Sequence, residues 1–130
     1  MSCGDAAQAS AVLHDIIAAD NARDLDRVMT YYTDDVVWAP PAPRPEMLGL
    51  SAIRESYVRM YGAFDPQLEA SVETAITNGP RAVVTGRTRG VLAPRAAETP
   101  ATQINDSYQA ILRCEGGHWR VSRLSWQPAD

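Results

Sequence analysis

No lysine occurs anywhere in the chain; all twelve basic side chains are arginine. Schiff-base chemistry on a lysine is therefore excluded, although a bias in genome composition accounts for the same pattern. Cysteine and histidine are almost as scarce, with only Cys3, Cys114, His14 and His118. These four fall at no metal-ligand spacing, so no metal centre is expected. In a reducing compartment the two distant thiols are expected to stay unpaired. Long apolar runs are also missing, which removes a membrane span. The opening Met1-Ser2-Cys3-Gly4-Asp5 lacks the basic-then-apolar pattern of a secretion leader, and a cytoplasmic location is the resulting expectation. Excess positive charge is absent too: the net charge is −4, which disfavours a nucleic-acid partner. What is present is ordinary for a globular protein, 45% hydrophobic and 22% charged in 130 residues. That fits a single domain over 1–130, with 1–8 expected as a flexible terminus.

The first half has helical periodicity. Ala9, Val12, Leu13, Ile16 and Ile17 form one stripe of a helix. Asn21-Ala22-Arg23-Asp24 interrupts it, and Asp24 is a natural N-cap for a second helix carrying Leu25, Val28, Met29 and Tyr32. Thr33-Asp34-Asp35 ends that segment, and Val36-Val37-Trp38 begins a strand. Residues 39–45 hold four prolines and must be loop. Ser51 is expected to cap a third helix with Ile53, Tyr57, Met60, Tyr61 and Phe64 on one face. Beyond Asp65-Pro66 the period becomes that of a strand, with Leu68, Ala70, Val72, Thr74 and Ile76 on the dry side. Asn78-Gly79-Pro80 turns into a strand over 81–92. A third strand over about 103–113 turns at Glu115-Gly116-Gly117 and returns over 118–126. Helices segregated ahead of hairpin-linked strands give an α+β class with a mainly antiparallel sheet.

Several strings in this order resemble one superfamily. They are Asn21-Ala22-Arg23-Asp24-Leu25-Asp26, Tyr32-Thr33-Asp34-Asp35-Val36-Val37-Trp38, Leu48-Gly49-Leu50-Ser51-Ala52-Ile53-Arg54 and Gly116-Gly117-His118-Trp119-Arg120-Val121. Together they resemble the nuclear transport factor 2-like fold, in its SnoaL-like and ketosteroid-isomerase-like branch, over roughly residues 9–126. The resemblance implies a cone: three helices on a strongly curved sheet around an apolar pocket, with a homodimer formed through the outer face of the sheet. The fold hosts isomerases, cyclases, dehydratases and non-enzymes, so it implies no single reaction.

The usual catalytic sets of that branch are missing. The resemblance puts the isomerase base at Pro40, its tyrosine donor at Ile16 and its protonated acid at Gln109; a hydrocarbon and a proline move no protons. The cyclase base falls on Leu124, and no histidine lies between Gln103 and Arg113. The same matching turns Tyr57, Trp126 and Gln109 inward. Strand alternation then places Asn105, Ser107 and Ile111 on the side of Gln109, with Asp106 and Tyr108 opposite. A β-bulge would reverse Asp106 and make it the best available base. Tyr57, Gln109 and Asp106 are thus the catalytic candidates. Ile16, Tyr32, Trp38 and Met60 complete a wall suited to a flat hydrophobic small molecule. Arg44 and Glu46 lie near the mouth, Arg87 and Arg89 pair with Glu69 and Glu73 on the surface, and both histidines are exposed.

Two functional classes follow. One is a cofactor-independent isomerase, cyclase or dehydratase for a hydrophobic metabolite; a buried ionisable group in the cavity would favour it. The other is a non-catalytic ligand-binding or accessory protein. A third reading, a cavity filled by side chains, would leave only an interaction role.

Overall fold

The computed structural model describes residues 2–129. Helix α1 (Ala6–Asn21) is followed by the short α2 (Leu25–Met29), strand β1 (Tyr32–Ala39), the two-residue β2 (Met47–Leu48) and helix α3 (Leu50–Ala63). Four long strands complete the chain: β3 (Phe64–Asn78), β4 (Arg81–Pro94), β5 (Thr102–Glu115) and β6 (His118–Pro128). They form one curved, unclosed sheet in the order β2-β1-β6-β5-β4-β3. Every neighbouring pair is antiparallel except β1 with β6, which run parallel. The α+β architecture and mainly antiparallel sheet are those expected from the order of periodicities.

The helices pack on the concave side. Helix α1 buries Val12, Leu13, Ile16 and Ala19, largely against β3, while α3 buries Ile53, Tyr57 and Tyr61. Sheet curvature comes from local breaks in the ladder. In β3 the register shifts between Val72 and Thr74, so the alternation that turns Leu68 and Ala70 inward is reversed beyond it. Ile76, expected on the dry side with Leu68, is consequently 67% exposed. A second shift lies opposite Ile111 and Leu112, with Ser122 as the extra residue in β6. It lets Val121 and Leu124, three apart, both face inward. In β4, Gly86 has no room for a Cβ, because the Ser71 carbonyl and the Tyr108 hydroxyl occupy that space.

Other expectations are corrected. Tyr32 belongs to β1 and not to the second helix, because its backbone enters the parallel ladder opposite Val121. Helix α3 is capped by Gly49, not Ser51; the Gly49 N–H donates to the Val36 carbonyl, and its own carbonyl accepts from Ile53. Helix α1 starts inside the stretch read as a flexible terminus, with Asp5 and Gln8 forming a capping box. Just ahead of it, Cys3 is disulfide-bonded to Cys114, the two Cα atoms 5.6 Å apart. That pairing overturns the expectation of free thiols: the start of α1 packs at the end of β5, which 111 residues of sequence separation conceal. No helix among the described residues is long and apolar enough to cross a membrane.

Candidate active site

Between α1, α3 and the concave face of the sheet lies a cavity of about 210 Å³. Its volume equals that of about seven liquid waters, room for a small one- or two-ring molecule. Ile16, Met60, Leu68, Ile104 and Leu124 make much of the wall, and among the described residues no basic side chain lines it. Four aromatic rings form one side. Trp38 stands edge-on to Tyr57 at 5.2 Å, to Trp126 at 5.6 Å and to Tyr32 at 6.1 Å between centroids. Such edge-to-face packing fixes the rings while leaving their edges to the cavity.

Polar groups are few and placed among these apolar walls. The Tyr32 and Tyr57 hydroxyls share a buried hydrogen bond of 2.9 Å. Burial, the largest cause, pushes both phenols well above their ordinary range, so both carry their protons at neutral pH.

The group the sequence reading missed is Asp20. It is 4% exposed, lines the cavity, and accepts a 2.9 Å hydrogen bond from the Tyr61 hydroxyl. Desolvation dominates its ionisation and raises its pKa to about 6, with the Tyr61 bond acting in the opposite direction. A signal for it existed. Asp20 stands seven residues after Leu13 and four after Ile16, so it continues the apolar stripe of α1 toward the core.

Local chemistry holds Asp20 in place. Helix α1 ends in a Schellman motif, with the Arg23 N–H donating to the Asp20 carbonyl and the Asp24 N–H to that of Ala19. The Asn21 side chain donates to the Leu68 carbonyl at 2.7 Å and accepts from the Leu68 N–H at 2.9 Å, tying the helix end to β3. Asp24 accepts from the Arg27 N–H as the cap of α2, the role read from the sequence.

A second carboxyl, Asp106, lines the cavity from β5. Desolvation raises its pKa, opposed by the charge of Arg44 from the proline loop. Beside it Tyr108, its pKa raised by burial to about 12, donates to the Ser71 carbonyl at 2.9 Å. The expected register of β5 is therefore off by one. Ile104, Asp106 and Tyr108 face the cavity, whereas Gln109, Asn105 and Ser107 are exposed on the outer face and Ile111 is half-buried there. No bulge in β5 is needed for this. The polar series Gln103, Asn105, Ser107, Gln109 itself marks the wet face, and matching to the family overrode that plain alternation.

Of the proposed site residues, Ile16, Tyr32, Trp38, Tyr57, Met60, Asp106 and Trp126 all line the cavity; Gln109, Asn105, Ser107 and Ile111 do not. Leu124, at the cyclase-base position, is also in the wall. Glu46 is paired with Arg123 at 2.6 Å. Glu73 is paired with Arg87 at 3.1 Å on the outer surface. His14 and His118 are exposed. Among the described residues, no group of three or more potential metal ligands is assembled.

With this geometry in view, comparison with known proteins gives a consistent result. The model of the SnoaL-like domain matches residues 13–122. Among solved structures, the chain is similar to a ketosteroid isomerase-like protein from Erwinia carotovora atroseptica, with 24% identity, TM-score 0.81 and 93% of each chain covered. It is similar to a candidate scytalone dehydratase from Novosphingobium aromaticivorans at 12% identity and TM-score 0.80, covering 95% of this chain and 83% of that one. A candidate dehydratase of the nuclear transport factor 2-like family from Streptomyces avermitilis shows 13% identity, TM-score 0.78 and 96% coverage of both. At these identities the likeness concerns the fold. Among curated proteins, no sequence matches.

Proposed function

This chain belongs to the SnoaL-like domain family, and on that footing we propose that it is an acid–base enzyme acting on a small, neutral, hydrophobic carbonyl compound. The reaction is an isomerisation or a dehydration, and it needs no group beyond the side chains of the cavity. One observation carries the reading: a nine-tenths buried carboxyl, Asp20, in the wall of an apolar cavity with its pKa raised to about 6. A base tuned near the working pH, and stripped of water, is what removal of a carbon-bound proton requires.

The steps follow from the neighbours. Asp20, ionised above about pH 6, takes the proton from the carbon next to the substrate carbonyl. The electrons of that C–H bond move onto the carbonyl oxygen. The Tyr32–Tyr57 pair, protonated and fixed by its mutual hydrogen bond, donates to the resulting enolate. The proton on Asp20 then returns to a different carbon, giving an isomer. Alternatively it goes to a β-hydroxyl, which leaves as water while the enolate collapses to the unsaturated ketone. An anionic substrate is disfavoured, because among the described residues two carboxyls and no basic side chain line the cavity. Dehydratase and isomerase-like neighbours in the same fold support this class of chemistry by analogy.

The competing reading is a ligand carrier, favoured by the almost wholly apolar wall. The two separate on one experiment. A bicyclic ketone such as α-tetralone is bound in heavy water, and exchange of its α-protons is followed by NMR for the wild type and for Asp20→Asn. Binding by both with exchange only by the wild type, lost by at least about 100-fold in the variant, supports the enzyme. Binding with no exchange above background by either leaves a carrier. A homodimer through the outer face, where Gln109 and Ser107 are exposed, is part of the same proposal and is read by light scattering.

A further inference from the structure

Arg23 stands at an unusual place in the chain. It is the residue after the C-cap of α1, with φ of 57°, the left-handed position that a Schellman motif normally reserves for glycine. A β-carbon there is strained, and nothing in the turn itself calls for a side chain. Both terminal nitrogens of the side chain are nevertheless engaged. One terminal guanidinium nitrogen donates to the Tyr61 carbonyl at 2.7 Å, and the other terminal nitrogen to the Phe64 carbonyl and to Asp65, both at 2.8 Å. Its carbon centre lies 5.0 Å from the centroid of the Tyr61 ring. It thus grips Tyr61 by backbone and ring together, outside the cavity, while the hydroxyl of the same residue reaches Asp20 inside it.

We propose that Arg23 is a positioning residue for the cavity carboxylate: by clamping Tyr61 it keeps the phenol hydroxyl directed at Asp20. The inference rests on Asp20 being the working carboxyl of the proposed reaction. The arginine charge also makes the phenol more acidic, and hence a better donor to a carboxylate. Arg23 therefore favours the ionised form of Asp20 without touching it. Other groups facing the pair oppose or modulate this. Tyr57 from α3 and Tyr32 from β1 feel the charge of Asp20. Asp65 from β3 partly neutralises Arg23, Arg95 lies 3.9 Å from Asp65 and adds a longer 3.3 Å hydrogen bond to the Tyr61 carbonyl, and Asp106 from β5 lines the same cavity.

The test reads Asp20 directly by carbon-13 NMR titration of aspartate-labelled protein, with Asp20→Asn assigning the signal. Arg23→Gly is the informative variant, since glycine relaxes the strained turn and preserves the fold; Arg23→Asn, also tolerant of positive φ, repeats the test if it does not. The wild-type midpoint should lie near 6. Arg23→Gly should raise it by about half a pH unit and Tyr61→Phe by about one. The double variant should titrate like Tyr61→Phe alone, because the arginine acts through the tyrosine. An unchanged midpoint in Arg23→Gly overturns the proposal. So does an equal rise with and without Tyr61, which would make the effect a direct one through space. A wild-type midpoint near 4 would instead remove the acid–base reading above, so the two failures are distinguishable.

Discussion

Replacing Asp20 by asparagine should make the protein more stable and abolish its proposed chemistry, and the stability half can be worked out in sign and size. A carboxyl whose pKa rises from 3.8 unfolded to about 6 folded binds protons more tightly in the native state. Stability therefore falls as pH rises between those two values and is flat outside them. The fall totals about 3 kcal/mol, at about 1.4 kcal/mol per pH unit. Asparagine escapes this penalty because it cannot ionise. It gives back about 1 kcal/mol, since its carbonyl can accept from Tyr61 but its amide hydrogens find no acceptor in an apolar wall. The net gain is about 2 kcal/mol at pH 8, equivalent to a rise of about 7 °C in Tm for a chain of this size. Near pH 4.5 Asp20 is protonated in the folded protein, two-thirds of the penalty has not yet developed, and the advantage shrinks to about zero. Urea unfolding of both proteins at pH 4.5 and 8 isolates this one group, because every other titration cancels in the difference. A stability difference that does not change with pH, or a variant less stable at pH 8, would refute a desolvated carboxyl at position 20. Stability gained where activity is lost is the signature of a functional site.

Three further outcomes test the surroundings. Tyr57→Phe should cost about 1–3 kcal/mol by leaving the buried Tyr32 hydroxyl unpaired, and Tyr32→Phe in addition should recover part of it in a thermal-unfolding double-mutant cycle; simple additivity would contradict the pairing. Gly86→Ala should lower stability by about 1–3 kcal/mol, since its methyl meets the Ser71 carbonyl and displaces the Tyr108 hydroxyl; an unchanged urea midpoint would mean that β3 and β4 are not so close. Reduction of Cys3–Cys114, which closes a loop with a sequence separation of 111, should cost up to about 5 kcal/mol; peptide mass mapping without reductant checks the bond, and identical melting with and without dithiothreitol would argue against its contribution.

The architecture was legible in the sequence because it follows from local periodicity. Leu13 and Ile16 at helical spacing, Leu68 and Ala70 at strand spacing, and the Gly116-Gly117 turn each declare one element and one dry face. Tyr57 was legible for the same reason, on the helix face it shares with Ile53 and Met60, whereas the resemblance to the family, not periodicity, turned Trp126 inward. Errors arose where one inserted residue or one borrowed register inverted a face. The shift after Val72 exposed Ile76, and matching Gln109 to a family position outweighed the wet series 103, 105, 107 and 109.

By itself, then, the sequence determined the order of helices and strands and the apolar stripes that force them to enclose a core, since these depend on neighbours within a few residues. It also put Asp20 on one of those stripes. Only the tertiary structure decided what that position means. A carboxyl on an apolar stripe is an ordinary surface group if the stripe ends in water. It becomes a carboxyl with a raised pKa because the core closes over it and strips it of water, while Tyr61, 41 residues away, donates to it. Likewise, Cys3 and Cys114 became partners only when folding brought the end of β5 to the start of α1. Desolvation and covalent pairing depend on distances in space, and chain spacing does not encode them.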